Sequence, residues 1–165
     1  MRITRSLMTL LLAFTAACEA APEADDAADA PPPATEPAPP APPEPAITAD
    51  VKGEGVTGQA KVTPSADGFE LVLNLSGASP GPHAWHIHQA ACSGSGPIVV
   101  ALSEKPNMPA VANELEVATD GTANATAQVP GSLVTVDQLK TGDYSLHVHR
   151  TGGAQHGPSI ACADL

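Results

Sequence analysis

"GPHAWHIHQAACSG", residues 81–94, decides how this chain is read. An extended strand rises about 3.3 Å per residue and sends successive side chains to opposite faces, so residues two apart stand side by side about 7 Å from each other. His86 and His88 then share a face with Ala84, while Trp85 and Ile87 point the other way together with His83. A second stretch, "DYSLHVHR" (143–150), has the same layout: Tyr144, Leu146 and Val148 form an apolar face, and Ser145, His147 and His149 form the opposite one. Four of the six histidines thus fall in two H-x-H pairs, with no histidine between them. Each pair marks a strand with one buried apolar face and one face carrying two imidazoles.

Outward from these two stretches, apolar residues keep recurring at period two and the breaks carry turn residues, which favours strands throughout. Strands are expected near 47–53, 58–63, 69–75, 83–89, 114–118, 123–129, 143–150 and 159–163. "SADG" (65–68), "TDGT" (119–122) and "KTGD" (140–143) supply residues that tolerate tight or left-handed turns. Eight short strands make an all-β sandwich or barrel. Two longer connections, Ala90 to Asn113 and Thr151 to Pro158, interrupt the regularity. Long ordered loops in a compact domain are more often functional than accidental.

The folded part begins late. Residues 1–17 read as an export signal: Arg2 and Arg5 precede an apolar run, Leu7 to Phe14, too short to span a bilayer. Cys18, directly after "TAA", resembles the lipidated first residue of a bacterial lipoprotein. Thr15 stands where that pattern usually has Leu, so an ordinary small-residue cleavage site is the alternative. The expected location is the periplasmic side of the cell envelope, held to a membrane through the lipid on Cys18, or soluble in the periplasm or secreted if the signal is simply cleaved. Residues 18–46 combine proline and alanine with seven acids and no base. Such a segment cannot bury a core, and proline stiffness with like-charge repulsion makes it a solvated tether. Residues 47–165, about 120 in all, suit one domain.

Much of the formal charge of -11 belongs to the tether, since residues 47–165 hold eleven acids against five bases. With no basic stripe and 2% aromatic residues, nucleic acid is not an expected partner. Cys92 and Cys162 remain once Cys18 is assigned to the signal, and an isolated pair in an exported chain suggests a disulfide. Closing so long a loop contributes on the order of 4 kcal/mol.

If the two H-x-H strands lie close together, up to four imidazoles converge on one patch. Neutral imidazole binds copper, zinc, iron or nickel, and a histidine-rich site without thiolate favours Cu(II). His86, His88, His147 and His149 are therefore candidate ligands. His83, on the Trp85 face, is expected to be a hydrogen-bonded structural histidine behind the ligands. His156, in the glycine-rich "GGAQHGP", is expected in solvent, with a role as an additional ligand the alternative. At the reference imidazole pKa of about 6.5, protons should displace the metal as pH falls through that region.

These residues resemble the copper/zinc superoxide dismutase family over most of 47–165. "VKGEGVTGQAKV" is similar to the family's first hairpin and "GPHAWHIHQ" to its copper-binding strand. "CSGSGP" resembles the segment with the disulfide cysteine, "LHVH" the strand with the last copper histidine, and "SIACADL" the closing Ala-Cys segment. The resemblance implies an eight-stranded Greek-key β-barrel. It matches His86, His88 and His149 to copper ligands, Cys92 and Cys162 to the intrasubunit disulfide, and His83 to a nearby structural histidine. His147 falls where the family has an apolar residue lining the copper pocket, so it is a fourth candidate ligand. Ile98 stands where the family has the histidine bridging copper and zinc, and no zinc-binding Asp matches, so one copper ion is expected and zinc is not. Ser159 replaces the arginine that guides superoxide, which weakens anion steering.

The resemblance thus implies a copper-dependent superoxide dismutase with a weakened catalytic apparatus, superoxide being its small ligand. A non-enzymatic copper-buffering protein of the envelope is the first alternative. A metal-free structural module of chordin-repeat-like type, whose sequences share short His-x-His segments on a comparable β framework, is the second.

Overall fold

The computed structural model describes Pro43 and residues 45–165, apart from Ser95. The expected export signal, Cys18 and nearly all of the tether lie outside the described residues. Ten strands follow in order: β1 (Ile47–Gly53), β2 (Thr57–Ser65), β3 (Gly68–Ser76), β4 (Gly81–His83), β5 (Trp85–His88), β6 (Ile98–Ala101), β7 (Leu115–Val117), β8 (Ala123–Pro130), β9 (Ser145–His149) and β10 (Ser159–Asp164). One short helix, α1 (Val136–Leu139), precedes β9.

Eight strands form one antiparallel sheet in the order β6-β5-β9-β10-β1-β2-β3-β8, and β4 pairs with β7. Because β7 also packs on β8 and β4 runs directly into β5, the sheet curls into a nearly closed eight-stranded barrel. The expected all-β fold is the observed one. Period-two patterning builds its wall: in β3, Phe69, Leu71, Leu73 and Leu75 are buried while Asn74 faces solvent. These residues pack with Val51, Val62, Trp85, Leu115 and Leu146 into one core. Each such side chain contributes about 1.5–3 kcal/mol on burial.

Three local departures from the sequence reading have clear physical causes. The expected strand 83–89 is split at Ala84, because His83 pairs with Leu115 while Trp85 pairs with Val148. Ala84 bridges the two by donating its N–H to the Thr151 carbonyl (3.0 Å) and accepting from the His149 N–H (2.8 Å). Second, the connection after Ala90 contains β6, which pairs with β5 on the barrel edge. Its β-branched "IVV" run was a legible strand signal. Third, α1 is started by a capping box, with Thr135 and Gln138 exchanging side-chain and backbone hydrogen bonds, a signature present in "TVDQ".

Cys92 and Cys162 form the expected disulfide, closing a separation of 70 residues. It fastens the loop after β5 to β10. The Cys92 N–H also donates to Asp164 Oδ1 at 2.6 Å, which reinforces the same junction.

Candidate metal centre

Register brings the two H-x-H pairs together. β5 and β9 are antiparallel neighbours in which His86 lies opposite His147, His88 opposite Ser145, and Trp85 opposite Val148. All four imidazoles therefore stand on the face away from the Trp85 core. That face is not open to solvent. His86, His147 and His149 are 0%, 8% and 5% exposed, and His88 and His156 are half-buried. Two loop segments contact the rings: the Gly96 carbonyl accepts from His88 Nδ1 (2.9 Å), and the Gly157 carbonyl accepts from His149 Nδ1 (3.0 Å).

The hydrogen bonds sort these rings. A carbonyl only accepts, so each Nδ1 so paired carries the proton and leaves Nε2 with a free lone pair. The buried Nε2 atoms of His88 and His149 have no partner, and neither do Nδ1 and Nε2 of His86. His147 is satisfied on both sides: Nε2 lies 3.0 Å from Ser145 Oγ and 3.3 Å from Cys162 Sγ, and Nδ1 lies 3.0 Å from Ser159 Oγ. His83 is 1% exposed, and its ring bridges the carbonyls of His149 (2.7 Å) and Ser79 (2.8 Å). It props the end of β9 from the core side.

Two imidazoles on one ion, each with its nitrogen about 2.0 Å from the metal, have ring centroids at most about 6.4 Å apart. The His86–His149 centroids are 5.1 Å apart, His88–His149 6.0 Å and His86–His88 6.4 Å, so each pair falls within that limit, while all three rings must draw slightly closer before one ion reaches them together. His88 sits at the far limit and leans toward His147, 4.3 Å away. His156, expected in solvent, is instead folded over the cluster, with its centroid 3.9 Å from that of His149 and 4.7 Å from that of His86. The ligating atoms of His86, His149 and His156 all lie within 4.8 Å of one another. The sequence signal for this placement is the short, glycine-rich return between β9 and β10, which leaves His156 little room to leave the barrel end.

Burial keeps the rings uncharged. Desolvation first, then the charges of His149, His156, His88 and Lys105, lowers the pKa of His86 to about 3. Desolvation, followed by the neighbouring His88 and against the attraction of Asp164, lowers that of His147 to about 4. His149 is lowered to about 4 by desolvation, outweighing its bond to Gly157. His88 is lowered by the same leading cause. Neutral, partnerless imidazole nitrogens converging under a loop are what a transition-metal ion binds.

The model of the CHRD domain family matches residues 42–157. Among solved structures, a proline-to-histidine mutant of a SOD-like protein from Bacillus subtilis superposes with a TM-score of 0.55, at 17% identity, over 72% of this chain and 96% of that one. At that identity the likeness shows the barrel fold alone. No curated protein matches the chain in sequence.

Proposed function

The chain belongs to the CHRD domain family, and on that premise we propose that it is an exported protein whose barrel holds one copper ion through His86, His88 and His149. The observation that carries this reading is the set of buried, partnerless nitrogens on those three rings. Each unsatisfied buried polar group costs about 1–3 kcal/mol. A bound cation removes that penalty for His88 Nε2, His149 Nε2 and one of the two nitrogens of His86. The donor set selects the metal: imidazole suits copper, both candidate thiols are tied up in the disulfide, and a site without thiolate or carboxylate disfavours hard cations. Copper, when bound, supplies one-electron redox chemistry. His88 and His149 are held in the ligating tautomer by Gly96 and Gly157.

Binding and buffering are better supported than rapid dismutation. Ser159, at the position where the dismutase likeness has an arginine, spends its hydroxyl on His147, and Arg150 is paired with Glu54 at 2.7 Å. Among the described residues, Lys105 is the lysine or arginine whose charge acts on both His86 and His88, and slow turnover of an anion such as superoxide is the second reading it favours. The proposal includes anchorage through a lipid on Cys18, with residues 18–46 as the spacer, and it is supported by the layout of residues 1–17. Mass spectrometry of the mature N-terminus tests it.

Metal-stripped, disulfide-intact protein titrated with Cu(II) against a competing chelator should take up one equivalent with Kd below 1 μM on the scale of a specific site, about 8 kcal/mol or more. His86→Ala should abolish that uptake. Absence of submicromolar binding by the unaltered protein overturns the reading. Superoxide turnover above that of free copper, lowered by Lys105→Glu, would establish the enzymatic one.

A further inference from the structure

We infer that His156 is a fourth ligand of the same ion, carried in by the loop 151–158, and that Glu114 positions that loop through its contact with Gly152 and Gly153. This rests on the copper reading above and adds to it a residue from outside both H-x-H pairs.

His156 meets His86 edge-on and His149 at a tilt, the two rings that lie deepest in the cluster, and shares the compact ligand group with them. Nitrogens that share an ion are separated by about 3–4 Å. The three ligand atoms, within 4.8 Å of one another, stand near that range, and the proposal has them draw together on the ion. The Gly157 carbonyl accepts from Nδ1 of His149 (3.0 Å) and of His156 (3.2 Å). One backbone oxygen thus sets the tautomer of both rings and leaves both Nε2 lone pairs for the metal. With Ile98 at the bridging-histidine position of the dismutase likeness, a loop histidine supplies the imidazole the barrel wall lacks.

The loop is built to hold this pose. Thr151 N–H donates to the His156 carbonyl (3.2 Å) and Arg150 N–H to that of Pro158 (3.0 Å), which closes its base. Gly153 and Gly157 turn the chain at φ +76° and +66°, where a side chain would be strained. Its outer end is tied down by Glu114, whose Oε1 accepts from the Gly153 N–H at 2.9 Å. Glu114 lies so close to Gly152 that a Cβ there would run into its carboxylate. Glu114 is a positioning residue: its one side-chain hydrogen bond among the described residues goes to the loop and none to a ligand ring.

The test combines Cu(II) affinity by chelator competition with the number of coupled nitrogens in the copper EPR spectrum. Unaltered protein should show four nitrogens. His156→Ala and His156→Gln should each show three and bind about 10–100-fold more weakly. Two chemically different replacements keep the comparison intact if one fails to fold. Glu114→Gln preserves the acceptor oxygen and should retain four nitrogens, whereas Glu114→Ala should lower affinity about tenfold and move the spectrum toward that of His156→Ala. A wild-type spectrum and affinity in both His156 variants overturns this inference and leaves the three-histidine site standing. An unchanged Glu114→Ala removes the positioning role. No copper on the unaltered protein overturns both readings.

Discussion

Lowering the pH of the metal-free protein from 7.5 to 5.0 should weaken the fold in a way traceable to the buried imidazoles. Unfolded histidines take up protons below pH about 6.5. In the fold, His86 resists until about pH 3 and His147 and His149 until about pH 4. Between those limits the unfolded chain binds more protons than the folded one, so stability is greatest above pH 6.5, falls as pH falls, and levels off near pH 3. At pH 5 each histidine kept neutral forfeits about RT ln(1 + 10^1.5), roughly 2 kcal/mol, or about 6 for three. The rings lie just beneath loops, and halving the sum for solvent screening leaves about 3 kcal/mol, a large share of the 5–15 kcal/mol typical of a domain. In urea, with a slope of about 1.5 kcal/mol/M, the unfolding midpoint should drop by about 2 M. Chelator-treated protein followed by Trp85 fluorescence provides the assay. Midpoints at pH 7.5 and 5.0 within about 0.3 M of each other would refute the reasoning, since the rings would then be protonated in the fold or solvated.

The same depression of pKa changes the expectation for metal release. Sequence alone places proton displacement of copper near pH 6.5; in the folded protein, neutral His86 and His149 should retain copper to about pH 5, checked by dialysis and metal analysis across pH 4–7, with loss already complete at pH 6 as the contrary result. Removing the disulfide as Cys92→Ser with Cys162→Ser should cost about 4 kcal/mol by the loop-closure estimate for a 70-residue separation, read from the chemical midpoint. Leu71→Ala, in the fully buried stripe of β3, should cost about 2–5 kcal/mol, whereas Val72→Ala on the outer face should cost less than 1.5.

Much of the molecule was legible because strand periodicity is local. The alternations in β3, β5 and β9 each name their own buried face, the turn sequences separate them, and the cysteine pair announces its bridge. The two H-x-H pairs could be recognised as two imidazoles per strand without knowledge of any neighbour. What local pattern cannot convey is a residue's partner across the barrel. His147 and His149 look equivalent in "LHVH", yet one lies opposite Cys162 and spends both nitrogens on hydrogen bonds while the other keeps Nε2 free.

The sequence by itself determined an all-β domain of about 120 residues behind an acidic, proline-rich segment, with four of its six histidines on the non-core faces of two strands. Those properties follow from side-chain order along the chain, which survives any arrangement of the strands. Only the tertiary structure decided that β5 and β9 are neighbours, that their imidazoles are buried and uncharged, and that His156 lies over them. Register and loop closure join residues some sixty positions apart, and desolvation depends on what covers a ring, so neither is encoded in any one stretch of the chain.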